Sequence, residues 1–388
     1  MTVKKLLNMA VLPLLAFITA LFVGGLIIGF TEPSVQAEIS HPSKFLTTFL
    51  NVVWNAYLSL FQGAIYDSNL AEGHHFFSGF YPLSESLVSA GPLILAGLSV
   101  ALAFRSGLFN IGAQGQFIFG AIGASFVGFK YEMPAPLHIA VALIAGTLLA
   151  ALYGGFVGLL KAKTGAHEVI VTIMLNYIAA RFILWLLRTK AFLRPGRIDP
   201  LAPPIKESAR FPHLFGENYR VSIAIIIALA TAALVGWFLN KTTWGFKFRS
   251  VGANSAAART AGISVPRTII STMALSGALA GLAGSVHVLG NAYELTDGVA
   301  GSFGFDAITV ALLGRGTPVG VVLSAILFAA LRVGGTTMQA NVHVPVELVL
   351  VIQALVVLFI AAPDLVKKIF RVKNLQSGEA LVSKGWNG

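Results

Sequence analysis

"AFRSGLFNIGAQGQF", residues 103–117, lies between the apolar runs "SAGPLILAGLSVALA" (89–103) and "IFGAIGASFVGF" (118–129). Within a few turns it gathers Arg105, Ser106, Asn110, Gln114, Gln116 and three glycines. Polar side chains are costly inside an apolar chain and usually face a bundle interior or a solute path. The stretch reads as a break between two membrane helices: Arg105 ends one, the glycines allow close approach, and the three amides point inward.

The rest of the 388-residue chain supports that reading. It is 56% hydrophobic and 11% charged, where a soluble domain carries about 25% charged residues. Its apolar runs are continuous, several of them long enough to cross a bilayer. The ~10-residue alternating segments of a membrane β-barrel are absent. The fold class is therefore all-α, a polytopic transmembrane helical bundle. Forty glycines suit it, because small residues let helices approach closely in lipid. The net charge of +11 belongs to the flanks of membrane helices rather than to a nucleic-acid surface. With no cysteine in the chain, disulfides, thiolate metal sites and cysteine nucleophiles are excluded.

About ten membrane helices are expected, over 6–30, 83–104, 109–129, 136–160, 168–188, 220–239, 267–290, 302–314, 317–333 and 345–362. The first follows Lys4 and Lys5, and its apolar run exceeds that of a signal peptide, so it is read as uncleaved. Residues 45–66 are long enough to span, but Thr47, Thr48, Asn51, Asn55, Ser59 and Gln62 make one polar stripe. That pattern predicts an interfacial outer helix. With both termini inside, the inner segments hold 16 of the 27 basic residues. These are Lys4, Lys5, Arg105, Lys161, Lys163, five in 240–267, Arg315 and five in the tail. Seven of the ten outer ones crowd the loop 188–220, whose "RPGRIDPLAPP" prolines force a non-helical lid. The expected organisation is one transmembrane domain over 1–388. Its parts are the first helix and outer helix (1–82), a core (83–362) and a basic cytoplasmic tail (363–388).

Intramembrane polar residues are few. Besides the three amides they include Glu168, Thr172, Asn176 and Arg181, then His287, Asp306, Arg315 and Glu347. Glu168, Thr172 and Asn176 are spaced by four and share a helix face. Two readings stand: they line a solute path, or Glu168 caps the helix and the other two join helices by hydrogen bonds. Asp306 and Arg315 lie nine residues apart on a short, interrupted element: the helix 302–314 is too short to span, and "GRGTP" (314–318) breaks the chain, as in a broken or re-entrant pair. "VALAFRS" (100–106) and "VALLGRG" (310–316) share a pattern that hints at related halves. "GALAGLAG" (277–284) is a helix-packing face. His74 and His75 are adjacent, a poor spacing for two ligands on one face. No HExxH, GxSxG or paired-carboxylate motif occurs, and "GxxxxGK[ST]" is missing too. An intramembrane enzyme is disfavoured, and coupling to nucleotide hydrolysis would need a partner.

Four segments in order resemble the permease subunits of bacterial ABC importers. They are "AFRSGLFNIGAQGQ", "EVIVTIMLNYIA", "VGANSAAARTAGI" followed by "SGALAGLAG", and "FGFDAITVALLGRGTPVG". The branch includes ribose-type and branched-chain amino-acid permeases, and is closest to nucleoside and simple-sugar permeases fed by a Bmp-type lipoprotein. The resemblance covers about 83 to 362. It implies import of nucleosides, or a related simple sugar, across the bacterial plasma membrane by alternating access. It also implies three kinds of partner: an ABC ATPase, a second permease (a paralogue), and a substrate-binding lipoprotein or periplasmic protein. The chain would hold no cofactor, ATP and magnesium being used by the ATPase.

The candidates for the solute pathway among the intramembrane polar residues are Asn110, Gln114, Gln116, Thr172, Asn176 and Asp306. The resemblance implies ATPase coupling through the inner loop 240–266, at Arg249, Gly252, Asn254, Ala257, Ala258, Arg259 and Gly262. Importer permeases commonly carry Glu-Ala-Ala-x-x-x-Gly there; Ala257, Ala258 and Gly262 match, but Ala256 replaces the glutamate. Likewise Gln114 stands where the related motif has glutamate, bringing an amide without charge. The alternative function is a stand-alone secondary transporter, with Asp306, Glu168 and Glu347 as relay candidates; it leaves the Ala-rich inner loop unexplained.

Overall fold

The computed structural model describes residues 3–71, 76–216 and 218–362, with Leu365 and residues 368–370 beyond. His74, His75, the side chains of Lys4 and Lys5 and most of the tail 363–388 lie outside the described residues. In chain order the α-helices are α1 (Val3–Thr31), α2 (Pro33–Gln36), α3 (Pro42–Ala64), α4 (Ser68–Ala71) and α5 (Tyr81–Arg105). Then come α6 (Ala113–Lys130), α7 (Ala135–Thr164), α8 (Glu168–Leu186), α9 (Ala224–Lys241), α10 (Thr243–Ala253) and α11 (Ser255–Thr260). The last are α12 (Val265–His287), α13 (Phe303–Leu313), α14 (Pro318–Val342) and α15 (Val346–Ala361). Among the described residues extended pairing is confined to two isolated bridges, Leu201–Thr296 and His213–Ser222. Seven helices there are long and apolar enough to cross a membrane: α1, α5, α7, α8, α9, α12 and α14. The other three segments expected to cross, now α6, α13 and α15, are not among them.

The chain forms two compact units, one of residues 1–86 with 327–382, the other of 87–326 with 383–388. In the second, α6, α7 and α12 meet through small residues. A methyl on Gly120 would run into the Gly281 backbone, and one on Gly284 into the Phe117 carbonyl. One on Gly277 would lie 2.5 Å from the Ala150 carbonyl oxygen. This is close-approach packing in which glycine supplies the contact surface. The face read from "GALAGLAG" is thus one side of a three-helix seam. α7 ends where Gly165 turns left-handed (φ 71°), and α8 begins three residues later. α13 has 11 residues, about 16 Å at 1.5 Å per residue, roughly half a bilayer core. α14, with 25 residues, continues to Val342, well past the expected end at 333.

In the first unit α3 pairs antiparallel with α1. Gly29 faces Phe49, Gly25 faces Val53 and Tyr57, and the Tyr57 hydroxyl donates to the Leu21 carbonyl. Ala56 and Ile28 share a core with Leu331, Met338 and Ile352. α3 runs along α1 for about three turns and is not among the seven helices long and apolar enough to cross a membrane. Its polar stripe occupies one sector only. Leu46, Leu50, Trp54, Leu58 and Phe61 form an exposed apolar stripe beside it.

Candidate functional site

The stretch 103–117 folds as a helix stop, a turn and a helix start. Leu108 N–H donates to Ala103 O (3.0 Å) and Gly107 N–H to Phe104 O (3.1 Å), with Gly107 at φ 70°. That is a Schellman stop, and it needs a left-handed residue where glycine sits. Asn110 then turns the chain: its Oδ1 accepts the Gly112 N–H at 3.1 Å. α6 starts one residue later.

Asn110 is fully buried and Gln116 is 1% exposed. Their amides pair at both ends, Asn110 Nδ2 to Gln116 Oε1 at 2.7 Å and Gln116 Nε2 to Asn110 Oδ1 at 3.1 Å. Asn110 also donates to Ser276 Oγ at 2.7 Å. Ser276 in turn donates to the Ser99 carbonyl at 2.8 Å. The cluster therefore joins α5, the turn, α6 and α12, and its polar atoms satisfy one another. Such satisfaction is required of groups shut away from water.

The face of α8 meets the same turn. Asn176 accepts the Gly115 N–H (2.9 Å) and donates to the Ile111 carbonyl (2.9 Å). Thr172 bonds its own helix at Glu168 O, 2.7 Å, and packs its methyl side against Gly112. Glu168 is 7% exposed. It receives Lys161 Nζ at 2.5 Å and, more weakly, the Phe109 N–H at 3.5 Å. Lys161 was counted in the sequence only as an inner charge. Its proximity to Glu168 comes from the three-residue link between α7 and α8, which folds the two helices back on each other.

Gln114 and Asp306 gather at the start of α13. Gln114 donates to Gly301 O (2.7 Å) and accepts the Gly304 N–H (2.8 Å). Asp306 Oδ2 accepts Ser302 Oγ at 2.7 Å. The far end of α13 closes with Gly316 N–H on Ala311 O (2.9 Å) and Arg315 N–H on Leu312 O (3.0 Å). Here Arg315 holds the left-handed position at φ 51°. Arg105 Nε donates to the Gly316 carbonyl at 2.9 Å.

The loop 240–266 is two short helices. Thr242 caps α10 through the Gly245 N–H, 3.0 Å, and Asn254 caps α11 through the Ala257 N–H, 3.0 Å. Ala258 is buried with Val251 and Val265, while Ala256, Ala257 and Arg259 are exposed. Gly262 (φ 79°) stops α11, with Ile263 N–H on Ala258 O at 3.0 Å. The spacing Ala-Ala-x-x-x-Gly is thus one buried anchor and one left-handed stop. Gly252 lies on the 105–107 turn: a Cβ there would come 2.5 Å from the Arg105 carbonyl oxygen and 2.8 Å from Gly107 N. Among the described residues no group of three or more His, Asp or Glu is arranged to hold a metal ion.

The structure therefore brings Asn110, Gln116, Thr172 and Asn176 around one turn, and places Gln114 with Asp306 at α13. The inner-loop residues sit apart, reaching the turn through Gly252. Sequence reasoning missed Ser99 and Ser276, which lie 177 residues apart and carry no signal that pairs them.

Seven helices long and apolar enough to cross a membrane, among the described residues, mark a multi-pass membrane protein. Residues 83–361 match the family described as the permease component of the branched-chain amino acid transport system, and the chain belongs to that family of ABC transporter permeases. It is 37% identical over 366 residues to the guanosine ABC transporter permease protein NupP of Bacillus subtilis, covering 93% of this chain and 95% of that one. It is 35% identical to the nucleoside ABC transporter permease protein NupB of Lactococcus lactis, over 78% of this chain and 85% of that one. It is 34% identical to the glucose ABC transporter permease protein TsgB13 of Haloferax volcanii, over 74% and 78%. No solved structure matches the chain.

Proposed function

We propose that this chain is one of two permease subunits of an ATP-driven importer that carries nucleosides into the cytoplasm through the bacterial plasma membrane. Both termini and the loop 240–266 face the cytoplasm, and about ten segments cross the bilayer. The second subunit is a paralogue. A binding lipoprotein delivers solute to the outer face, and an ABC ATPase docks on the inner loop through Arg249, Gly252, Asn254, Ala257, Ala258, Arg259 and Gly262. The observation that carries the substrate is the relation to guanosine and nucleoside permeases across most of both chains.

The amide-rich turn fits a neutral, hydroxyl-bearing solute. Asn110, Gln116, Thr172 and Asn176 surround it, and Gln114 and Asp306 sit beside it. In the closed arrangement these groups satisfy one another. As access alternates, opening the turn would expose the same donors and acceptors to the solute. The test is reconstitution with the ATPase, second permease and binding protein, followed by ATP-dependent uptake of labelled guanosine and uridine. Uptake of glucose or ribose in place of nucleosides would favour the sugar reading, which the glucose permease relative supports. Uptake without any ATPase would sink the class.

A further inference from the structure

The inner face of unit 87–326 holds two arginines that the rest of the fold leaves short of counter-charge. Arg105 ends α5, half-buried, and spends Nε on the Gly316 carbonyl. Arg249 lies on α10, one turn before Gly252, whose backbone rests on the 105–107 turn. The approach of Gly252 to the Arg105 carbonyl brings the segments that carry the two guanidinium groups together, and their like charges repel. Arg249 is half-buried, and its Nε is shut from water with no acceptor among the described residues.

The chain supplies no carboxylate to this pair from the loop. Between Asn218 and Glu294 the sequence contains no aspartate or glutamate, while Lys241, Lys247, Arg249, Arg259 and Arg267 add positive charge. Glu168, which meets the turn at the Phe109 N–H, is already engaged by Lys161. A buried guanidinium donor without an acceptor is unfavourable by itself, and a like-charged neighbour adds repulsion. An incoming carboxylate would offset the like-charge repulsion, pairing with the accessible part of the half-buried guanidinium.

We infer that Arg249, with Arg105 behind it, is a receptor for a carboxylate side chain of the ATPase subunit. The inference rests on the ATP-driven reading above and adds the chemistry of the contact: the permease brings the cation, and the ATPase brings the anion. Arg249 lies on α10 between the caps Thr242 and Asn254; its neighbours Phe248 and Val251 are buried, while Trp244 and Phe246 on the same helix are exposed, so the test includes a lipid arm.

The test uses the assembled permease–ATPase complex. Arg249→Lys places an amine at the site, and a zero-length carbodiimide then joins it to any carboxylate in contact. Peptide mapping is expected to find residue 249 joined to an aspartate or glutamate of the ATPase. Arg249→Gln is expected to weaken ATPase binding by roughly thirtyfold and to remove most of its salt dependence. Arg249→Lys should keep part of the affinity, and Lys163→Gln, on an exposed lysine, should leave binding unchanged. Thermal stability of the isolated permease variants confirms that they fold. A cross-link to the second permease, or no cross-link, overturns the inference. So does normal ATPase binding by Arg249→Gln, or a defect seen only in vesicles containing phosphatidylglycerol. If the wild-type chain itself does not bind the ATPase, the ATP-driven reading falls and this inference with it.

Discussion

Asn110 and Gln116 close a ring of two amides, 2.7 and 3.1 Å across its two hydrogen bonds, inside a helix bundle. Replacing either residue by alanine strands donors or acceptors of the other, together with Ser276. Each change should lower stability by about 1–3 kcal/mol. The double variant should lose less than the sum, since the partners are already gone. Unfolding of the purified protein measures this. Additive losses would mean that the ring does not act as a unit. If the same groups also meet solute, uptake should fall further than stability alone accounts for.

Lys161 and Glu168 make the second expectation. Glu168 is 7% exposed, so Lys161→Ala leaves a buried carboxylate facing one weak backbone donor. The loss should be about 1.5–3 kcal/mol, the range for hydrogen bonds to charged groups. Glu168→Gln in the Lys161→Ala background should restore part of it, because the charge is no longer buried. A fall on adding Glu168→Gln would show that the carboxylate has another counter-charge.

Gly252 and Gly107 touch backbone to backbone. Gly252→Ala forces a methyl against the Arg105 carbonyl and should cost about 1–3 kcal/mol of overpacking. Gly107→Ala meets a left-handed backbone and should cost about 1–2 kcal/mol. In the assembled transporter both should reduce uptake more than ATP hydrolysis, because the inner loop and the turn would no longer move together. An unchanged ratio of uptake to hydrolysis would count against the contact as a coupling point.

The segment 188–220 carries a pH dependence. Glu132 accepts Lys206 Nζ at 2.6 Å, and that hydrogen bond, aided by the ammonium charge, holds its carboxyl below the ordinary glutamate value of 4.5. A lowered folded value stabilises the attachment at neutral pH. The contribution declines as pH falls below the ordinary value and vanishes below the lowered one. Cleavage by an added protease within 188–220 should therefore rise modestly between pH 5 and 3, by a small factor because the pair is exposed. Glu132→Gln should flatten that rise; an identical rise in the variant would assign it elsewhere.

The helical class and most helix bounds were legible because apolar periodicity in lipid leaves few alternatives. α7, α8 and α12 fall within a few residues of the expected segments. The pairing of the 45–66 segment with α1 was not legible. The polar stripe describes one sector of α3, whereas the pairing is carried by Gly25 and Gly29, whose role exists only once Val53, Tyr57 and Phe49 are in place. The amides of 103–117 announced themselves by composition. Their partners did not, since Ser99 and Ser276 are ordinary small residues in apolar helices. The Ala-Ala-x-x-x-Gly spacing carried both its buried anchor and its left-handed stop in local sequence, and so could be read without the fold.

One short segment holds α13 at both ends: Arg105 grips the carbonyl of Gly316 beyond its last turn, and Gln114 grips Gly301 and Gly304 at its first. The stretch 105–114 thus acts as a caliper, its two jaws set by nine peptide units. α13 can tilt within that opening, but sliding along its axis would release one jaw. A one-residue insertion between Gly107 and Gly112 would change the span between the jaws and should release one of the two grips on α13.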